Sequence, residues 1–221
     1  MDQPAVPAAL AEFTADLADE LALTYTDQVV YPRLTVIDRP GAPERHFPTA
    51  PTPVLLLAIE NQGVCAWGVP LDGHDNPPVI VSGELSDGSD TTIEYAADVE
   101  AYVAARRWDA QCLSSAVVLQ AQAKPVDPTT LAYLRAGYEQ SSSTAGWPGD
   151  VTYRFRNGPV RIMLWAAPDQ CDWFIAGADT DELARATAAL LPYSDLRASL
   201  WSHDTVGQEL LDRLRRTRRP S

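Results

Sequence analysis

Apolar residues near the start of the chain recur at Leu10, Phe13, Leu17 and Leu21, the three- and four-residue steps of one helical face. Glu12, Asp16, Asp19 and Glu20 fall on the opposite side as an acidic stripe. Such a stripe is either a solvated face or a docking surface for a basic protein. Residues 32–53 hold Pro32, Pro40, Pro43, Pro48, Pro51 and Pro53. Proline lacks the donor that helices and sheets need, so this stretch predicts an extended connection with short edge pieces. The uninterrupted apolar run Val54–Ile59 predicts a central strand covered on both faces. Asn61, Gln62 and Gly63 supply a turn, and residues 64–69 return as the hairpin partner. A loop over 70–78 leads to a third strand at 79–81, and 91–94 offers a fourth. A helix is predicted over 96–106 with Val99, Tyr102 and Val103 inward, and Trp108 and Leu113 close the unit.

The second half repeats the order of elements. Residues 121–127 read as a connector. Asp127 and Pro128 read as an N-cap followed by proline at the first helical position, with Leu131, Leu134 and Tyr138 marking one face. Residues 141–149 read as a flexible loop. Val151, Tyr153 and Phe155 alternate with Thr152, Arg154 and Arg156, the pattern of a half-buried strand. Asn157-Gly158 is the strongest short hairpin signal, and the return strand alternates Val160, Ile162 and Leu164 with Arg161, Met163 and Trp165. Residues 171–176 make a third strand. Asp179 with Glu182 opens a helix that Pro192 ends; Thr205 with Gln208 opens the last one, with Val206, Leu210 and Leu214 inward. Both halves thus read helix, three-strand meander, helix, a pattern open to internal duplication and to coincidence alike.

Charge narrows the function classes. Thirty acids face 17 bases, a net charge of −13. Five of the bases (Arg213, Arg215, Arg216, Arg218, Arg219) crowd the C-terminus, so the rest of the chain is more acidic still. Such a body repels phosphate backbones, which argues against nucleic acid as a partner, and attracts basic proteins; solubility is the plainer use of the same charge. The terminal arginines are either a basic arm or cations at the negative end of the last helix dipole. No apolar run approaches the roughly 20 residues of a spanning helix, so no membrane segment is expected. The N-terminal residues carry acids where a signal peptide needs a basic region. Three widely spaced cysteines, Cys65, Cys112 and Cys171, predict buried reduced thiols in a cytoplasmic protein.

Catalytic signatures are sparse. The histidines are His46, His74 and His203, and no nucleophile elbow, phosphate loop or metal-binding histidine motif occurs. Asp72, His74, Asp75 and Asn76 offer ligand atoms in one loop, but Gly, Asp and Asn are equally the residues of turns. Glu60 with Asp75 is the one candidate acid/base pair. No catalytic residue, metal ligand or cofactor is assigned. A binding protein needs only shape, charge and a few anchors, and Trp147, in a Gly- and Ser-rich stretch, is the best-placed tryptophan for one.

Residues 58–69 (Ala-Ile-Glu-Asn-Gln-Gly-Val-Cys-Ala-Trp-Gly-Val), followed by Asp75-Asn76-Pro77-Pro78-Val79, resemble the SUKH superfamily, the relatives of the Smi/Knr-type yeast cell-wall regulators. The resemblance covers roughly residues 1–120. Asn76 and Ile80 depart from the family pattern, where an acid and an aromatic are frequent. The resemblance implies an α+β fold: a curved, mainly antiparallel sheet with flanking helices over 1–120, here followed by a second α+β segment over 121–221. It also implies no enzymatic activity; many bacterial members are immunity proteins that neutralise toxins, often basic nucleases. Asn61, Gly63, Trp67, Pro77 and Pro78 are then structural. Glu12, Asp16, Asp19, Glu20, Glu60, Gln62 and Trp147 are the candidate partner contacts. The rival readings are a regulatory or scaffold module with a host partner, and a metal-dependent or acid/base hydrolase built on Glu60, His74 and Asp75.

Overall fold

The computed structural model describes residues 5–11, 13, 15–21, 29–30, 37–39, 46–84, 90–147 and 149–216. The protein is α+β, built on two antiparallel sheets. Contacts divide it into two compact units: residues 1–110 with Thr144–Trp147, and 111–143 with 148–221. That boundary lies upstream of residue 120 because the strand starting at Val117 pairs within the second sheet.

In the first unit the strands are β1 (Val29–Val30), β2 (Ile37–Asp38), β3 (Val54–Ile59), β4 (Cys65–Pro70), β5 (Val79–Glu84) and β6 (Asp90–Ala96). They run in the order β1-β3-β4-β5-β6, and β2 also pairs with β3. The proline-rich stretch thus contributes a short edge piece at Ile37–Asp38. The helices are α1 (Ala15–Leu21) and α2 (Val99–Leu113). The run in β3 is apolar throughout because both of its faces are covered. Leu55 and Leu57 join Leu10, Phe13, Leu21, Trp67, Tyr95 and Tyr102 in the larger core. Val54 and Leu56 face Phe47, Ala50 and Ile80 on the other side. A register shift against β4 between Leu56 and Ala58 lets Leu57 and Ala58 both enter the larger core. Helix α2 starts later and runs longer than the predicted 96–106, because Asp98 caps it: its carboxylate accepts the Ala101 N–H at 2.7 Å.

In the second unit the strands are β7 (Val117–Ala123), β8 (Glu139–Ala145), β9 (Val151–Asn157), β10 (Val160–Ala166) and β11 (Cys171–Gly177), in the order β7-β11-β10-β9-β8. The helices are α3 (Pro128–Gly137), α4 (Thr180–Leu190) and α5 (Thr205–Arg216). Several expectations need correction. The 121–127 connector begins inside β7. The 141–149 loop is largely β8, a mostly exposed edge strand whose polar sequence carries no apolar alternation. The second half therefore has four consecutive strands, β8–β11, not three, and the fourth strand offered at 91–94 in the first half is present as β6 (Asp90–Ala96). The β9–β10 turn is centred on Gly158-Pro159, one residue beyond the predicted Asn157-Gly158: Asn157 pairs with Val160, and Gly158 takes φ +55° at the first central position. In β9 the polar positions Thr152 and Arg154 are buried, so the strand is covered on both faces, not half-buried. Asp204, not Thr205, caps α5 by accepting the Gly207 N–H at 2.6 Å, while the Gln208 side chain reaches back to the Ser202 carbonyl. Val206 is exposed; Leu210 and Leu211 make the inward face.

Candidate protein-binding surface

The motif that carries the family resemblance is a tightly determined hairpin. Glu60 N–H donates to the Cys65 carbonyl at 3.0 Å, closing β3 onto β4. Gly63 N–H donates to the Glu60 carbonyl at 2.8 Å, and Gly63 takes φ +74°, where side chains are disfavoured. The Glu60 carboxylate turns inward and accepts the Gln62 N–H at 2.8 Å. Glu60 is therefore a buried turn-former, while Asn61, Gln62, Gly63 and Val64 are exposed at the tip.

Under the hairpin the core is polar in an unusual way. Trp67 is fully buried and meets Tyr95 edge-on at 6.0 Å; Tyr95 meets Tyr102 at 5.9 Å. The Arg106 guanidinium sits over Trp67, 5.4 Å from the ring centroid, and donates to the Leu21 carbonyl at 3.4 Å. Arg106 thus joins α2, α1 and the sheet from inside the core. Burial, then the Glu60 carboxylate, drives the Cys65 thiol far above its ordinary value, and Arg106 offsets this only in part. Burial also pushes the Tyr102 hydroxyl up to about 12. These groups are held in their neutral forms, which suits packing and not nucleophilic work.

The 70–78 loop is a structural knot of the same unit. The Asp75 carbonyl accepts the Ala9 N–H at 2.9 Å, and the Asn76 side chain accepts the Val99 N–H at 3.1 Å at the start of α2. Asn76, a departure from the family pattern, thereby satisfies an orphan donor of that helix. Pro77 is buried and Pro78 half-buried, leading straight into β5. His74 lies exposed, 3.3 Å from the Asp72 carboxylate. Among the described residues no group of three or more His, Cys, Asp or Glu could hold a metal ion.

The predicted contacts scatter in role. Glu12 lies outside the described residues, as does the Asp19 side chain. Asp16 is exposed. Glu20 is exposed but engaged with Arg107, which donates to it through two nitrogens, one of them at 3.0 Å. The Arg107 hydrogen bond holds the Glu20 carboxyl below its ordinary value. Trp147 is 37% exposed, and all seven predicted contacts fall within the first unit.

The residues of that unit also account for the whole net charge. They include 18 acids and 5 bases, whereas the second unit has 12 of each, so the entire −13 belongs to the first. Among its described residues, Asp16, Glu94 and Glu100 are exposed acids outside any ion pair. Counting charge by unit, not for the chain as a whole, reveals this from sequence once the boundary is known. Compared with known proteins, the chain matches no family model, no curated protein and no solved structure. No described helix is long and apolar enough to cross a membrane.

Proposed function

We propose that this chain is a non-enzymatic protein-binding module whose acidic first unit recognises a basic protein, and that its biological use is that of a cytoplasmic immunity protein against a basic, nuclease-type toxin. The partition of charge carries this reading. A field of one sign concentrated on one compact unit steers a cationic partner and speeds its encounter. A nuclease surface built to hold phosphates is a natural complement. The SUKH-like hairpin supports the same reading, as do the roles of the alternative catalytic candidates. Glu60 is buried beneath its own turn, and Asp75 and Asn76 hold the loop in place.

The test is affinity purification of the tagged chain from producing cells, with its partner identified by mass spectrometry. The reading expects a basic protein released by added salt and a toxin gene beside that of this chain. A host enzyme of neutral charge, captured equally well at high salt, would favour the scaffold reading.

A further inference from the structure

The sheet of the first unit ends at β6, and among the described residues no strand lies on the side of β6 away from β5. The pairing shows which backbone groups that side presents. The Glu60 N–H donates to the Cys65 carbonyl and the Leu71 N–H to the Pro53 carbonyl, so the odd-numbered residues of β4 turn their backbone groups to β3. Ala66 and Gly68 therefore face β5, where they pair with Ser82 and Ile80. That leaves Val81 and Gly83 to face β6, opposite Ile93 and Thr91. The N–H and C=O of Thr92 and Glu94 consequently point outward, and among the described residues nothing pairs with them. The edge is also the open part of the sheet: β4 is buried throughout, whereas Thr91, Thr92 and Ile93 are half-buried and Glu94 is exposed.

An open edge is a template for another strand, and proteins usually blunt it with lysine or proline. Strand β6 carries neither. Exposed Glu94 stands on one face of the strand, and Ile93 lies on the other, packed against the larger core. Cross-strand pairs of opposite charge and of apolar residues are favourable, so a strand laid here gains most from a cation beside Glu94 and an apolar residue beside Ile93. Glu100, exposed in the first turn of the helix that follows β6, adds a second acid. A second copy of this chain is the poorer occupant, since it would bring together two units each of net −13. We propose that β6 receives an extended segment of the basic partner, lysine or arginine alternating with apolar residues, which adds to the sheet through the N–H and C=O of Thr92 and Glu94. This rests on the reading of the first unit as the receiver of a basic protein and specifies how that protein is held.

The probe is a blocked peptide of alternating lysine and valine, as long as β6, titrated into the full chain while amide hydrogen exchange is followed by NMR. In the free chain the Thr92 and Glu94 amides should exchange faster than those of Thr91 and Ile93, which face β5. The peptide should bind saturably and slow Thr92 and Glu94 about tenfold or more. Binding should weaken about tenfold or more for the same peptide N-methylated at every amide, which keeps its charge but cannot donate, and for the peptide with glutamate in place of lysine. Thr92→Pro removes the outward N–H and leaves the pairing to β5 in place, and Glu94→Gln removes the charge; both should weaken binding at an unchanged melting temperature. The Thr92 hydroxyl has no partner among the described residues, so its loss breaks no hydrogen bond. If Thr92→Pro melts lower, the N-methylated peptide carries the same test on the wild type. The proposal is overturned if the lysine–valine peptide does not bind saturably, binds without slowing Thr92 and Glu94, or is matched by its N-methylated form to within about twofold. In the last two cases charge alone attracts it, and the acidic unit still stands as the receiver. Slowing of both amides by the chain alone as its concentration rises assigns the edge to a second copy and also overturns the proposal. The reading of the acidic unit fails separately, on a captured partner that salt does not release.

Discussion

Gly146 shows how much one position can depend on having no side chain. It takes φ +77°, and a Cβ there would lie 2.5 Å from Val81 Cγ1 and 3.0 Å from Ile93 Cδ1. Gly146→Ala should therefore lower stability by about 2 kcal/mol in urea unfolding, combining backbone strain with overpacking; an unchanged midpoint would show that β5 and β6 yield freely. The cysteines give a second residue-scale prediction. All three are buried, and burial pushes the Cys171 thiol up to about 12. Native protein near neutral pH should resist thiol alkylation that labels three sites after unfolding; rapid labelling of the native chain would contradict this. At this scale the sequence was only partly legible. The buried thiols followed from composition and spacing, and the structural role of Trp67 from the family resemblance. Glu60, Arg106 and Arg154 did not, because a charged residue in a sequence looks alike whether it faces water or turns inward to carbonyls and rings.

Elements were most legible where local chemistry settles them. Asp127 and Asp179 cap α3 and α4 as their neighbours imply, accepting from Thr130 and from Asp181 and Glu182. Asp127→Ala should cost about 1 kcal/mol of stability in the same unfolding assay. Backbone hydrogen bonds from Glu182 and then Asp181 hold the Asp179 carboxyl below its ordinary 3.8. A carboxyl with a lowered folded-state value stabilises above its unfolded value and loses that contribution as pH falls through the folded one. Asp179→Asn keeps a capping oxygen but does not titrate. Its melting temperature should thus fall less steeply than that of the wild type below pH 3.8, and parallel curves would refute the link. Edge strands were least legible. Strand β8 is polar because it is a mostly exposed edge strand beside β9, so no apolar alternation marks it. Strand β7 was hidden because its last residues precede a proline and resemble a linker, although it pairs along its length with β11. The sheets therefore hold six and five strands among the described residues, where the sequence pattern marked three-strand meanders and offered 91–94 as a fourth in the first half.

For the molecule as a whole, the distribution of charge matters more than its total. A net −13 spread evenly would serve solubility; confined to one of two units, it makes that unit the one that the proposed cationic partner would approach. The most direct measurement is the affinity of the captured partner for four forms of the chain at about 50 and about 200 mM salt. The forms are wild type; Asp16→Lys, Glu94→Lys and Glu100→Lys combined; Trp147→Ala; and a control with Glu209→Lys and Asp212→Lys in the second unit. The account predicts that wild-type affinity drops about tenfold with salt, that the first-unit reversal weakens binding by at least as much and flattens the salt response, and that the control changes little. A partner indifferent to the first-unit reversal, or one whose binding is lost in the second-unit control, would contradict it.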